Sequence, residues 1–222
     1  LKTQGVQQAP AFSSWTPRHA GLCTAFGVIS AVLESPVPLA LAGAASLAAF
    51  LVRHKPPHSR LGGLGLANAI TLLRLGLVVA AALAAPTWWA FGLVLVLDGL
   101  DGAVARRLEE STDFGAHFDM ETDALFVGVL CVASFVAGAP AWVLLFGALR
   151  YALVLTRLFF PVEVPRERRS QFGRFVFGGA VCALLLSLTE APLPLRMAAL
   201  AVALVALLAS FSQDFAALRR TA

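Results

Sequence analysis

Apolar stretches of membrane-crossing length recur along this chain, separated by short breaks at proline or glycine, and that repetition leaves few folds open. A bilayer core of about 30 Å needs about 20 apolar residues in a helix, and every backbone polar group inside it must be satisfied within the protein. Reading from Leu64, such stretches fall near 64–85, 88–106, 119–138, 140–160, 174–190 and 195–215. The breaks are Ala85-Pro86-Thr87, Ala137-Gly138-Ala139-Pro140 and Glu190-Ala191-Pro192-Leu193-Pro194, each with a residue that stops a helix. With 59% of residues apolar and only 14% charged, an ordinary soluble domain is excluded. The expectation is an all-α, polytopic integral membrane protein with a six-transmembrane-helix core and one or two N-terminal apolar segments.

None of these three breaks carries Lys or Arg. The opposite ends do: His54-Lys55 with His58 and Arg60, Arg106-Arg107, Arg166 with Arg168, Arg169 and Arg174, and Arg219-Arg220. By the positive-inside rule those ends lie in the cytoplasm, as expected for a bacterial-type inner (cytoplasmic) membrane. The net charge of +4 follows from such loops and their attraction to anionic lipid, without nucleic acid. Residues 20–33 and 37–53 are also apolar, interrupted by Glu34-Ser35-Pro36-Val37-Pro38. The first is short, about 21 Å as a helix, and reads equally as a short span, a re-entrant arm or a surface helix. The second is long enough to cross. Lys2 followed by a polar stretch argues against a cleaved signal peptide. Residues 1–60 are thus expected to be an extension and 61–222 the six-helix domain. Cys23, Cys131 and Cys182 have no paired spacing and read as small buried hydrophobes.

Against this background the run from Asp98 to Asp123 stands out. An ionised aspartate at a span centre costs roughly 2.5 to 3.5 kcal/mol, so intramembrane acids point to function. Asp98 and Asp101 are three apart and Asp119 and Asp123 four apart, so each pair shares a helical face. Two antiparallel helices can aim both pairs into one cavity. All-oxygen donors suit Mg²⁺, Mn²⁺ or Ca²⁺ rather than zinc or copper, and four carboxylates fit a pair of ions on a diphosphate. Gly99, Gly102, Ala103 and Ala105 remove bulk beside the acids, leaving room for a ligand, although close helix packing explains Ala103 equally well.

The pattern Asp98-x-x-Asp101-Gly102-x-x-Ala105-Arg106, followed by Gly115-x-x-x-Asp119-x-x-x-Asp123, resembles the signature of the CDP-alcohol phosphotransferase family, with every signature position filled. The resemblance extends over residues 62–215. It implies transfer of a phosphatidyl group from CDP-diacylglycerol to a small polar alcohol with release of CMP, on the cytoplasmic side. It implies two divalent cations, Mg²⁺ or Mn²⁺, held by Asp98, Asp101, Asp119 and Asp123, with Asp123 also acting as the base. Gly102, Ala105 and Gly115 would line the CDP site, and Arg106 would approach a donor phosphate. Partners are then the CDP-linked lipid donor, the alcohol acceptor and membrane lipids. Members of the family often form homodimers, and no sequence feature here establishes an interface.

Asn68, Thr71 and Arg74, spaced by three, resemble the opening helix of the same family. Asn68 and Thr71 are read as facing the nucleotide, while Arg74 balances evenly between function and helix packing. Arg150, Arg157 and Arg174 are candidates for an acceptor or lipid phosphate. Arg150 lies deep in its span and calls for a buried partner or a cavity. His117 is read as a bystander, and helical phase turns Glu121 and Thr122 away from the aspartate pair. Trp88 and Trp89 form an aromatic belt. Alternatives remain: a CDP-choline or CDP-ethanolamine phosphotransferase acting on diacylglycerol, or, in a different class, a divalent-cation transporter, whose acids would need a path to both membrane faces. The D-D-x-x-D pattern of prenyl-transfer enzymes is absent.

Overall fold

The computed structural model describes residues 14–54, 65–84, 87–108, 112–159 and 171–219; side chains at 100–108, 153, 156–159, 171–172, 174, 211 and 213–219 fall outside that description. Among the described residues there are eight α-helices, one 3-10 turn and no strand. The helices are α1 (Thr16–Val32), α2 (Val37–His54), α3 (Leu66–Leu83), α4 (Trp88–Leu108), α5 (Asp113–Val136), α6 (Leu145–Phe159), α7 (Gln171–Ser187) and α8 (Leu193–Arg219), with the 3-10 turn (Ala141–Leu144) leading into α6. The six stretches expected from Leu64 onward correspond in order to α3 through α8. Val37–His54, Leu66–Leu83 and Leu193–Ser210 are long and apolar enough to cross a membrane, and shorter apolar helices run over Trp88–Gly99, Ala141–Ala152 and Phe175–Ser187. The chain is an all-α integral membrane protein.

Local chemistry sets the helix ends. Thr112 caps α5, its hydroxyl oxygen accepting a hydrogen bond from the Gly115 amide at 3.0 Å, and Asp113 in the first turn complements the helix dipole. That cap fixes where α5 begins and hence the phase of the acids that follow. The helix stops at Ala137, after which Gly138 takes a φ of 93°, a left-handed geometry that glycine adopts without a Cβ clash. Between α1 and α2 the chain reverses through Glu34 at φ 49°, and the Leu39 amide donates to Ser30 Oγ at 2.9 Å. The short first apolar segment is therefore a helix folded back on the second, and it also packs against α5 and α6.

At the centre lies α5. Its residues Ala124 through Ser134 are all buried, enclosed by α1, α2, α3, α6 and α7. A helix surrounded in this way is apolar on every face, as its sequence is over that stretch. Small residues let neighbours approach: a Cβ on Gly147 of α6 would lie 3.0 Å from the Gly128 Cα, and one on Gly43 of α2 would lie 2.3 Å from Leu125 Cδ1. Close backbone approach of this kind drives helix association in lipid, where apolar burial supplies little. Outward positions such as Val32, Leu73, Val96, Phe175, Val202 and Val205 are exposed apolar residues, as a lipid-facing surface requires. Trp88 and Trp89 are exposed at the start of α4, in keeping with an aromatic belt. The cysteine expectation needs correction: Cys23 and Cys131 are buried, but Cys182 is exposed. Its position on α7 faces away from the bundle, where a small, weakly polar thiol is tolerated.

Candidate active site

The acids meet around α3, which packs against both α4 and α5. Asp98 comes from α4, and Asp119 and Asp123 come from successive turns of α5, so that one carboxylate oxygen from each lies within 4.8 Å of the others. From α3, Arg74 reaches into this group. Its Nη1 donates to Asp119 Oδ1 at 2.8 Å, and its Nη2 pairs with Asp98 Oδ1 at 2.8 Å and also donates to Asp123 Oδ1. The Arg74 side chain is 0% exposed, whereas Asp98, Asp119 and Asp123 keep 32%, 34% and 25% of theirs open. The guanidinium thus forms the floor of the cluster and the carboxylates its open face. Sequence reasoning left Arg74 undecided. An arginine in the middle of an apolar span signals a need for polar partners, and nothing local in the sequence says which.

Three hard oxygen donors converging at this spacing fit Mg²⁺ or Mn²⁺ and do not fit a soft metal. Asp101, Gly102, Ala105 and Arg106 belong to α4 by backbone, and their side chains lie outside the described ones, as do those of Arg157 in α6 and Arg174 in α7. The basic loop residues Arg166, Arg168 and Arg169 also lie outside the described residues.

One turn before Asp119, Gly115 faces Asn68 of α3. A Cβ there would lie 2.8 Å from Asn68 Oδ1 and 3.2 Å from Thr112 Oγ1, so only glycine leaves Asn68 and the helix cap their present positions. Asn68 and Gly115, both singled out from sequence, are therefore neighbours at the same end as the acids. Thr71 is buried and its hydroxyl donates to the Ala67 carbonyl at 3.2 Å, a bond within its own helix.

Arg150 finds the buried partner that its depth called for. Its Nη2 donates to Glu121 Oε1 at 3.0 Å, and Glu121, on the side of α5 turned from Asp119 and Asp123, is almost fully buried. The sequence turned Glu121 away from the aspartate pair, as found, without naming Arg150 as its partner. Arg150→Met would strand the Glu121 carboxylate. Breaking a buried pair from one side costs about 3 kcal/mol at the low end of the usual range, which applies because Arg150 keeps 32% of its side chain exposed. The expected result is a clear fall in thermal midpoint, largely restored by adding Glu121→Gln; an unchanged midpoint in the single variant would contradict it. His117 turns to the N-terminal helices, its Nε2 3.2 Å from Thr16 Oγ1 and its ring packed near Trp15 and Phe50, in line with a bystander role.

A membrane-embedded helical bundle in which Asp98, Asp119 and Asp123 converge from two helices, with glycine and asparagine beside them, defines a membrane protein with a polar centre that could hold a hard cation. Residues 64–211 match the family model described as CDP-alcohol phosphatidyltransferase, and the chain belongs to that family. A stretch of 89 residues is 36% identical to a Pseudomonas fluorescens protein named CDP-diacylglycerol–glycerol-3-phosphate 3-phosphatidyltransferase, covering 40% of this chain and 43% of that relative. The chain thus matches less than half the length of this curated relative. No solved structure matches the chain.

Proposed function

We propose that this protein transfers the phosphatidyl group of CDP-diacylglycerol to the hydroxyl of a small polar alcohol, releasing CMP, on the cytoplasmic side of a bacterial-type inner membrane. The observation that carries the reading is the convergence of Asp98, Asp119 and Asp123 from two helices within 4.8 Å, inside the stretch that matches the family and at positions that resemble its signature. Residues 61–222 form the catalytic unit and residues 1–60 an extension of it. Two divalent cations, Mg²⁺ or Mn²⁺, held by Asp98, Asp101, Asp119 and Asp123, would neutralise the diphosphate and polarise the phosphorus under attack.

The chain's own residues supply the rest. Asp123 takes the proton of the acceptor hydroxyl as its oxygen forms the new bond to the phosphatidyl phosphorus, and the bond from that phosphorus to the CMP oxygen breaks. Asn68, Gly102, Ala105 and Gly115 line the nucleotide, with Arg106 at a donor phosphate, while Thr71, buried with its hydroxyl bonded to the Ala67 carbonyl, shapes the α3 wall rather than the nucleotide contact. Arg150, Arg157 and Arg174 are the candidates for holding an anionic acceptor. The acceptor we favour is glycerol 3-phosphate, because it is the one named for the Pseudomonas relative.

Gly115→Ala tests the nucleotide site. The added methyl displaces Asn68 Oδ1 and crowds the capping Thr112 Oγ1, both movable side-chain atoms, so the site is disturbed more than the fold. The expected result is a KM for CDP-diacylglycerol raised on the order of tenfold, the worth of about one hydrogen bond, with little change in thermal midpoint. An unchanged KM would remove Gly115 and Asn68 from the donor site. For the acceptor, the purified protein is given CDP-diacylglycerol with glycerol 3-phosphate, inositol phosphate, serine or choline, and the new phospholipid is identified by mass. Phosphatidylglycerophosphate supports the reading. A product from another alcohol replaces the acceptor, and a product only from CDP-choline and diacylglycerol reverses donor and acceptor.

A further inference from the structure

We propose that Arg74 is the resident counter-cation of the aspartate cluster, holding Asp98, Asp119 and Asp123 together and setting how strongly the cluster takes a divalent cation. The second half of this inference rests on the metal reading given above; the first half does not.

The geometry carries the argument. Three carboxylates whose oxygens lie within 4.8 Å repel one another strongly in a medium that screens charge poorly. Arg74 contacts all three through its two terminal nitrogens and is wholly buried beneath them, so its charge cannot be dispersed into solvent or lipid headgroups. A guanidinium does not lose its proton in proteins, and its planar fork can engage several carboxylates at fixed angles, which an ammonium cannot. Arg74 also ties three helices at one point, since its own α3 lies against both α4 and α5. With Arg74 present, the three described acids retain two formal negative charges, the complement of a single divalent ion. The oxygens that would bind that ion are the ones Arg74 already touches. Metal and guanidinium are therefore alternative or shared partners of the same atoms, and the cluster has a cation at every stage of loading.

Thermal midpoints of the full-length wild type, Arg74→Met and Arg74→Lys in detergent, each in EDTA and in saturating Mn²⁺, test this, with bound Mn²⁺ read by electron paramagnetic resonance. In EDTA, Arg74→Met is expected to melt at least about 5 °C below wild type, because three gathered carboxylates lose their counter-charge. Arg74→Lys, which keeps the charge, is expected to recover most of that loss. In Mn²⁺ the Arg74→Met deficit is expected to shrink, because a divalent ion takes over the neutralising role. A deficit equal in EDTA and Mn²⁺ would make Arg74 a packing residue and overturn the proposal, as would Arg74→Lys melting no higher than Arg74→Met in EDTA. If Arg74→Met does not fold, the EDTA comparison of Arg74→Lys with wild type decides: a drop as large as about 5 °C overturns the counter-charge role. A wild type that binds no Mn²⁺ overturns the metal reading and the second half of the proposal, while the EDTA comparison still decides the first.

Discussion

Asp123→Asn is expected to lower kcat for CMP release by about 10²- to 10⁴-fold, the usual contribution of a positioned general base, while leaving binding of CDP-diacylglycerol within about threefold of wild type. Asparagine keeps the shape of the side chain, and its carbonyl oxygen still accepts the hydrogen bond from Arg74 that Asp123 Oδ1 accepts. What it loses is the capacity to take a proton from the acceptor hydroxyl. Asp123 is suited to that task by position: it is a turn deeper in α5 than Asp119 and is the least exposed of the three described acids, yet a quarter of its side chain stays open to the site. Single-turnover CMP release, set beside equilibrium binding of the donor, separates the two effects. Equal loss of turnover and of binding would make Asp123 a binding residue and leave the base unassigned.

Asp98→Asn carries the second large effect, and of a different kind. Asp98 is the described acid contributed by α4, so its oxygen is what joins that helix to the pair on α5. Removing its charge is expected to raise the Mn²⁺ concentration for half-maximal turnover by at least the ten- to hundredfold that loss of even an outer partner of a ligand produces. Activity is expected to return in part at high Mn²⁺ and to vanish in EDTA for variant and wild type alike. A Mn²⁺ requirement unchanged by Asp98→Asn would remove it from the ligand set. The contrast between the two variants matters more than either alone, because Asp123 combines a place in the ligand set with the role of base, whereas Asp98 is a ligand only.

Much of this site was legible in the sequence because it is built from spacings that secondary structure converts directly into geometry. Asp119 and Asp123 are four apart in a helix whose start is fixed by Thr112, so their common face follows from the cap and the helical repeat. The break at Gly138 likewise stands just after α5 ends, and Pro192 just before α8 begins. What spacing does not contain is which helix lies between which. Arg74 sits in a polar stripe with Asn68 and Thr71, and nothing local distinguishes an arginine facing a nucleotide from one facing carboxylates on two other helices. Arg150 announced the need for a partner without naming it, because Glu121 is some thirty residues away and pairs only through the packing of α6 on α5. For α1, short and apolar on most sides, periodicity offered no stripe to orient it; the contacts made by its N-terminal end, such as Trp15 packed against Phe50 and Thr16 beside His117, are tertiary facts. Cys182 was misplaced for the same reason, since its exposure depends on where α7 sits rather than on its own neighbours in sequence.

The most direct test of phosphatidyl transfer is CMP formation from CDP-diacylglycerol by EDTA-stripped protein, measured with Mn²⁺ and glycerol 3-phosphate added separately and together, beside Asp123→Asn. The expected result is CMP in proportion to a new phospholipid only when cation and acceptor are both present, and almost none from the variant. Folded protein that binds Mn²⁺ yet releases no CMP from CDP-diacylglycerol or from a CDP-amino alcohol, with any acceptor, would contradict it.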